Sequence, residues 1–195
     1  GNIVAIAQTN LKRMLAYSTI SHMGYFMLGI LSANPNGYSA SLFYVIVYSF
    51  TTMAAFGLII MMSRAGFEAE EISDYKGLNK RHPWFAFMVA LVMFSMAGIP
   101  PTVGFFAKLS VIQALVDVDK YWLAVVAVLF AVIGAYYYLR VVKTLYFDKP
   151  ESNEPISANI GMQFVLTINV FALLLIMPWI GVIMDICSEA ISRMG

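Results

Sequence analysis

The sequence predicts an all-α integral membrane protein, and three observations support this fold class. First, 61% of the 195 residues are hydrophobic. Second, only 12% are charged, whereas an average soluble domain carries roughly 25% charged residues. Third, the charges are absent from long windows, and a spanning helix needs only about 20 apolar residues. The windows without a charged side chain are 14–63, 82–107, 121–139 and 155–184.

Five transmembrane helices are expected from these windows. The first window is too long for one span, and the turn sequence Asn34-Pro35-Asn36-Gly37 divides it into two. Residues 1–7 are typical of the end of an earlier helix, so we expect residues 1–195 to form one membrane domain from a longer chain. The expected helices cover 14–32, 39–63, 83–116 with a break at 98–101, 121–139 and 160–181.

The basic residues predict the orientation of the helices in the membrane. Nine lie on one side, at 12–13, 64–81 and 140–149, while Lys120 and Arg193 are expected on the other side. Basic residues concentrate in cytoplasmic connections, so the nine are expected in the cytoplasm and the C-terminus outside. The three tyrosines at 136–138 are expected to form an aromatic belt at the cytoplasmic boundary.

Several classes of site are not supported by the sequence. The net charge of +1 gives no electrostatic basis for binding nucleic acid. Cys187 is the only cysteine, which excludes a disulfide or a cysteine metal site within the chain. No phosphate-binding loop, catalytic triad or zinc pattern occurs in the sequence. We therefore expect no metal and no cofactor to be bound by this chain.

A lone lysine lies in the third expected helix. Lys108 is the only charged residue from Pro83 to Val116. A continuous helix of that length would measure about 51 Å, against a bilayer core of roughly 30 Å, so the segment must tilt or break. Prolines remove backbone donors and glycines loosen the chain. The residues that favour a break are Gly98, Pro100, Pro101 and Gly104.

The combination of a helix break and a buried lysine predicts a proton or ion path. Ionisable residues inside the membrane mark such paths, and discontinuous helices are where transporters place their ion sites. A buried lysine can change between charged and neutral forms. The alternative is that Lys108 only extends to the outer interface, but this would not explain the adjacent break.

His22 is a second candidate for proton transfer, in the first expected helix. It lies about 15 Å beyond Lys12 along the helix, near the midplane, and shares a face with Ser18 and Tyr25. Histidine is the natural proton relay near neutral pH. The alternative is a packing histidine that is hydrogen-bonded to a neighbouring helix. A weaker polar stripe of the second helix, expected to serve interhelical bonding, contains Tyr44, Tyr48 and Thr51.

The remaining charges near the membrane suggest two further expectations. Lys12 and Arg13 are expected to set the orientation, with proton uptake from the cytoplasm as an alternative role for Lys12. No Asp or Glu lies in a membrane window, and a buried charged lysine needs a counter-ion or water. We therefore expect the acidic partner of Lys108 in a preceding segment or in another subunit.

Several motifs resemble the antiporter-like membrane subunits of respiratory complex I. The first is QTNLKRMLAYS at 8–18 with ISHMGY at 20–25, and the second is AGIPPT at 97–102, followed by Gly104, Phe105 and Lys108. The segments DYKGL at 74–78 and YYYLR at 136–140 are most similar to the N-like subunits of the bacterial enzyme. The resemblance extends along nearly all of the chain.

The resemblance implies a fold and a role for the site residues. Family members have about fourteen core helices with two inverted five-helix repeats, each with one broken helix. This chain is similar to the last five helices, so Lys108 would be the ionisable residue of the second broken helix and His22 a residue of the polar axis. The missing first repeat holds a glutamate and a lysine in the family, in agreement with the absent carboxylate.

The resemblance also implies the setting in which the chain works. It would be a non-redox subunit of a proton-translocating NADH:quinone oxidoreductase in the bacterial inner membrane, surrounded by lipid and by other membrane subunits of complex I. NADH, FMN, the iron–sulfur clusters and quinone would be bound by partner subunits, with quinone acting on this chain only indirectly. The alternatives are a subunit of a multi-subunit sodium/proton antiporter and a structural membrane subunit without proton transfer.

Overall fold

The computed structural model describes residues 1–63, 68–150 and 160–193. Arg64 and the acidic and proline residues at 151–155 therefore lie outside the described residues. In the described ranges the chain is helical and no β-strand is present, which confirms the expected all-α fold class. The α-helices are α1 (Asn2–Ile6), α2 (Leu11–Leu31), α3 (Pro35–Met62), α4 (Leu78–Arg81), α5 (Pro83–Ala97), α6 (Val103–Val116), α7 (Tyr121–Phe147), α8 (Ile160–Leu175) and α9 (Ile180–Ser192).

Three helices are individually long and apolar enough to cross a membrane. Helices α2, α3 and α7 contain 21, 28 and 27 residues, which corresponds to about 32, 42 and 40 Å. Each matches or exceeds a hydrocarbon core of roughly 30 Å. A fourth span is present if the bent pair α8 and α9 is counted as one.

The long helices differ in their ends from the expected ones, and side-chain caps determine where α2 and α3 begin. Helix α2 begins at Leu11, since the side chain of Asn10 accepts a hydrogen bond from the amide of Arg13. Helix α3 begins at Pro35, because Asn34 caps it in the same way and proline suits the first turn. Helix α7 continues past the expected end at 139 to Phe147, so Arg140 and Lys143 lie on the helix.

The third expected helix consists of two shorter helices. Helices α5 and α6 contain 15 and 14 residues, so each is about 22 Å long and neither alone crosses a bilayer core. They are separated at 98–102, which agrees with the expected break at 98–101. Eleven of the 15 residues of α5 are buried, whereas Pro100 and Pro101 of the break are exposed, so the break extends from the buried end of α5 to the surface of this chain.

The prediction of one helix over 160–181 is wrong in its C-terminal part. Helix α8 ends at Leu175, a 3₁₀ turn covers Met177–Trp179, and α9 continues at an angle of 52°. Pro178 explains the bend, because it has no amide hydrogen for the carbonyl of Leu174 and its ring collides with the preceding turn. Helix α9 returns toward the start of α3, where Ser188 Oγ lies 3.3 Å from Ser39 Oγ.

Helix α3 is the centre of the bundle. It packs against α2, α5, α6, α8 and α9, whereas α7 packs mainly on α5 and leaves one face uncovered. Side chains on this face, such as Val125, Leu129 and Val132, are exposed and apolar. An uncovered apolar face of this kind suits lipid or a neighbouring membrane subunit.

One end of the bundle is tied together by the segment at 68–77. The amide of Leu11 donates to the carbonyl of Glu70 at 2.6 Å, and the amide of Ile72 donates to the carbonyl of Thr9 at 2.9 Å. Lys12 forms an ion pair with Glu70. The other basic residues expected in the cytoplasm, where the structure describes them, lie on or beside these elements. They therefore share one end of the bundle.

The expected aromatic belt at 136–138 is wrong for two of its three tyrosines. Tyr136 is exposed, but Tyr137 and Tyr138 are each 1% exposed. Successive residues of an α-helix point about 100° apart, so three in a row cannot all face lipid. Tyr137 donates to Asn2 Oδ1 at 3.0 Å, and Tyr138 contacts His22. These two tyrosines therefore belong to the interior.

Candidate functional site

The site is built on the backbone break between α5 and α6. Gly98 adopts a left-handed conformation with φ of +80°, and the amide of Ile99 donates back to the carbonyl of Phe94 at 3.0 Å. This arrangement is a Schellman-type helix end, which favours glycine at the left-handed position. Pro100 and Pro101 follow directly and stop the helix.

The two prolines leave two carbonyls without their normal helical partners. In a continuous helix, the amides of residues 100 and 101 would donate to the carbonyls of Met96 and Ala97. Proline has no amide hydrogen, so both carbonyls need other donors. The C-terminal end of a helix also carries partial negative charge. The C-terminal end of α5 therefore binds a cation favourably.

Lys108 supplies that cation. Its Nζ donates to the carbonyl of Met96 at 2.9 Å and to the carbonyl of Ala97 at 2.8 Å. The side chain is only 8% exposed and turns toward the break rather than along α6 to the end of the helix. An ammonium group has three hydrogens, so one N–H remains for another acceptor.

Glycines provide the space for this contact. A Cβ atom at Gly98 would lie 2.8 Å from Cδ of Lys108, and one at Gly104 would lie 2.0 Å from the carbonyl oxygen of Ser95. Both distances are too short for real carbon contacts, so α5 and α6 approach each other at these two glycines. The break residues selected from the sequence therefore shape the surroundings of Lys108.

The surroundings of Lys108 contain an aromatic ring and carbonyls rather than a carboxylate. Its Nζ lies 5.4 Å from the centre of the Tyr25 ring. The ion pairs found in the described part of the chain are Lys12–Glu70, Lys143–Asp148 and Arg193–Glu189, and none includes Lys108. Helix-end carbonyls and an aromatic face stabilise the cation without a formal negative charge.

His22 is the centre of a hydrogen-bonded aromatic cluster. Its Nδ1 is 2.7 Å from the hydroxyl of Tyr44 and its Nε2 is 3.0 Å from the hydroxyl of Tyr138. The ring stacks on Tyr48 with centroids 4.7 Å apart. A neutral histidine donates from one nitrogen and accepts at the other. His22 can therefore exchange a proton with one tyrosine while donating to the other.

A small cavity joins Lys108 to this cluster. Its volume is about 10 Å³, close to the roughly 10–15 Å³ that one water molecule requires. Its walls come from α2, α3, α5 and α6, so it lies at the junction of the broken helix with two long helices. The polar or aromatic residues that line it are His22, Tyr44, Tyr48, Thr51, Ser95 and Lys108.

The candidates from the sequence fall into two places. Lys108, His22 and Gly104 line one cavity, and Gly98, Pro100 and Pro101 form the adjoining break. Lys12 lies elsewhere, in the first turn of α2, where it pairs with Glu70. The structure therefore does not bring Lys12 together with Lys108.

Two residues of the site are not predicted from the sequence. Ser95 is the only residue of α5 with a small polar side chain, and this isolated hydroxyl in an apolar helix could have identified it. The sequence predicts Tyr138 in an aromatic belt, although helical periodicity separates it from Tyr136. The hydrogen bond that connects Tyr138 to His22 joins residues 116 positions apart, which sequence spacing cannot show.

Comparison with known proteins identifies the family. The family model described as "NADH:quinone oxidoreductase/Mrp antiporter, TM" matches residues 1–134. NADH-quinone oxidoreductase subunit N of Thioalkalivibrio sulfidiphilus is 55% identical over 192 residues, covering 98% of this chain and 40% of the relative. Subunit N of Nitrosomonas europaea is 56% identical over 193 residues, covering 99% and 40%. The chain thus spans about two fifths of the length of these relatives.

Solved structures show the same fold. Respiratory complex I from Thermus thermophilus with bound aureothin contains a chain that is 26% identical, with a TM-score of 0.82, covering 94% of this chain and 42% of that one. The Mrp complex from Dietzia, at 20% identity and a TM-score of 0.85 with coverages of 98% and 44%, supports the fold alone. The expected resemblance to N-like complex I subunits is confirmed. The chain belongs to the NADH:quinone oxidoreductase/Mrp antiporter transmembrane family.

Proposed function

We propose that this chain is part of a proton-translocating membrane subunit of a bacterial NADH:quinone oxidoreductase. Lys108 gains and loses a proton at the break between α5 and α6, and His22 with its tyrosines exchanges protons with it. The observation that carries the proposal is the position of Lys108. Its ammonium is held on two carbonyls freed by prolines, beside a cavity shared with His22. Such a group can lose its proton without leaving a carboxylate unpaired.

The wider setting is part of the same proposal. The chain forms five spans, with α5 and α6 together as one broken span and α8 with α9 as one bent span, and corresponds to the C-terminal part of its relatives. It lies in the bacterial inner membrane with its C-terminus outside and contacts other membrane subunits. NADH, FMN, iron–sulfur clusters and quinone belong to partner subunits, and quinone reduction there changes the electric field at Lys108.

The experiment is alanine substitution of Lys108 in the complete complex, reconstituted in vesicles. Positioned proton-transfer groups contribute roughly 10²–10⁴-fold to rate, so Lys108→Ala should slow proton transfer through this chain by about 10²-fold or more. His22→Ala should have a smaller effect. Vesicle acidification driven by NADH measures the pumping, and subunit and flavin content measure the assembly.

Lys120→Ala is the matched control for this experiment. Lys120 also donates to a backbone carbonyl, that of Leu31, but it lies outside the cavity at the other end of the bundle. Normal pumping by the Lys120 variant would show that loss of a lysine does not by itself impair the complex. Full pumping by a correctly assembled Lys108→Ala complex would refute the proposed function.

The second candidate is a subunit of a multi-subunit sodium/proton antiporter. The matching family model covers both classes of protein, and the Mrp complex shares the fold. In such a complex, Lys108 would serve secondary transport without a redox reaction. Sodium-dependent proton movement without NADH would support this candidate, whereas co-purification with flavin and iron–sulfur subunits would support the first.

A further inference from the structure

A buried hydroxyl without a partner belongs to a residue that lines the same cavity as Lys108. Ser95 is 1% exposed, and its Oγ has no hydrogen-bond partner among the described residues. A buried hydroxyl without a partner costs roughly 1–3 kcal/mol. Serine otherwise commonly satisfies itself by donating to a carbonyl one turn back, as Ser18 does to Leu15 at 2.7 Å. The hydroxyl of Ser95 makes no such bond, and Ser95 is one of the residues that line the cavity.

The cavity offers a set of polar groups that one water molecule would satisfy. Buried waters typically make about three hydrogen bonds. Lys108 has one N–H beyond the two that bind the carbonyls of the break. Thr51 donates to the carbonyl of Val47 at 2.8 Å, which leaves its oxygen free to accept. Ser95 can donate or accept, so the three side chains match a water in a space of about 10 Å³.

We propose that Ser95 is a positioning residue, which together with Thr51 holds a water molecule against Lys108. This inference rests on the proposed function and names the group through which the proton leaves the lysine. The third N–H of Lys108 donates to the water, while Ser95 and Thr51 fix the orientation of that water. Gly104 is required beside Ser95, because a larger residue there would collide with the Ser95 backbone.

The proton step balances through the proposed water and the observed contact between Tyr44 and His22. The N–H bond of Lys108 breaks as an O–H bond forms on the water, and the water releases one of its own protons to the hydroxyl of Tyr44. Tyr44 passes its original proton to Nδ1 of His22, 2.7 Å away, while the other ring nitrogen donates to Tyr138. Lys108 ends neutral, His22 ends as an imidazolium, and the water and Tyr44 are unchanged.

Two serine variants in the complete complex separate a positioning role from a structural one. Ser95→Ala removes a hydroxyl without a protein partner, so assembly and thermal stability should be equal to wild type or higher. Proton pumping should nevertheless fall, by about tenfold for transfer through this chain, because the water loses a ligand. Ser41→Ala removes a buried hydroxyl that donates to the carbonyl of Phe26 at 2.8 Å. It should lower stability and leave pumping per assembled complex unchanged.

The outcomes of this experiment are distinct. Wild-type pumping per assembled complex in Ser95→Ala would overturn the inference, whether or not the amount of assembled complex is reduced. If the variant does not assemble, a high-resolution map of the wild-type complex decides, since it must show a water within hydrogen-bonding distance of Ser95 Oγ and Lys108 Nζ. Normal pumping by Lys108→Ala would refute the proposed function itself. Impaired pumping by Lys108→Ala together with normal pumping by Ser95→Ala would refute only the water site.

Discussion

At the scale of single residues, the chain treats its basic side chains in two different ways. Lys108 is buried and bound to neutral carbonyls, whereas Lys12 is partly exposed and bound to the carboxylate of Glu70. A charge paired with a carboxylate cannot neutralise without leaving the partner uncompensated. A charge held by carbonyl dipoles avoids that penalty. The carboxylate pair of Lys12 therefore suits attachment of one segment to another, and the carbonyl contacts of Lys108 suit proton exchange.

Glu70 provides a prediction about this attachment and its pH dependence. Its pKa is lowered from 4.5 to about 2, because Lys12 and then Asn10 donate hydrogen bonds to its carboxylate. A lowered carboxyl pKa means that the contribution to stability is complete above about pH 4.5 and is lost as the pH falls toward 2. The segment at 68–77 should therefore remain equally protected from hydrogen exchange between pH 5 and 8.

Removing the charge should loosen the same segment at every pH in that range. Glu70→Gln is expected to accelerate amide exchange in a peptide covering 68–76, measured by mass spectrometry on the assembled complex. Glu189→Gln is the matched control, since it breaks the exposed pair with Arg193 at the other end of the bundle. Unchanged exchange at 68–76 in Glu70→Gln would show that the ion pair does not hold the segment.

At the scale of helices, Gly98 tests how the break is maintained. Its φ of +80° would cost a residue with a side chain about 1–2 kcal/mol, and its Cβ would collide with Lys108. Gly98→Ala should therefore lower the free energy of unfolding by at least that amount and also slow proton pumping. Thermal denaturation and vesicle acidification of the complete complex measure the two effects.

Gly181→Ala is the control for the glycine substitution. A Cβ atom at Gly181 meets no atom within 4 Å, and alanine is favoured over glycine in a helix by up to about 1 kcal/mol. The control should therefore be neutral or stabilising. Equal effects of the two substitutions would contradict the account of the break.

The helix ends and breaks show how much of the fold could be predicted from the sequence. The break at 98–101 was located because glycine and proline act locally on the backbone. The absence of charge predicts that α7 ends at 139, yet a helix continues until its backbone bonding is interrupted, here at Asp148 before Pro150. Pro178 gives the same local signal as the prolines of the first break, and it ends α8 in a comparable way.

The site was predicted in part for a similar physical reason. Lys108 and His22 are chemically conspicuous in an apolar sequence, so composition identifies them. Ser95 stands out as an isolated hydroxyl in an apolar helix, but its place in the cavity of Lys108, like the contact of Tyr138 with His22, depends on contacts between helices that are distant in sequence. Such contacts depend on how α2, α5 and α7 rotate about their axes. Helical periodicity limits that rotation without fixing it.

At the scale of the whole molecule, the two ends of the bundle differ in charge. Lys80 and Arg81 on α4 share one end with Arg140, whose guanidinium donates to the carbonyl of Ile6 at 2.8 Å. At the other end, Ser188 of α9 lies against Ser39 at the start of α3. Basic residues are enriched on the cytoplasmic side, which is the physical basis for the proposed orientation.

Cysteine labelling of intact cells tests this orientation and the number of spans together. Three proposed spans separate Lys80 from Ser192, so the two positions should face opposite sides of the membrane. Both are exposed, and the native Cys187 is 1% exposed and gives little background. With a membrane-impermeant maleimide, Ser192→Cys should react from outside, whereas Lys80→Cys should react only after permeabilisation. Labelling of both from one side would contradict an odd number of spans between them, and reversed labelling would contradict the orientation set by the basic residues.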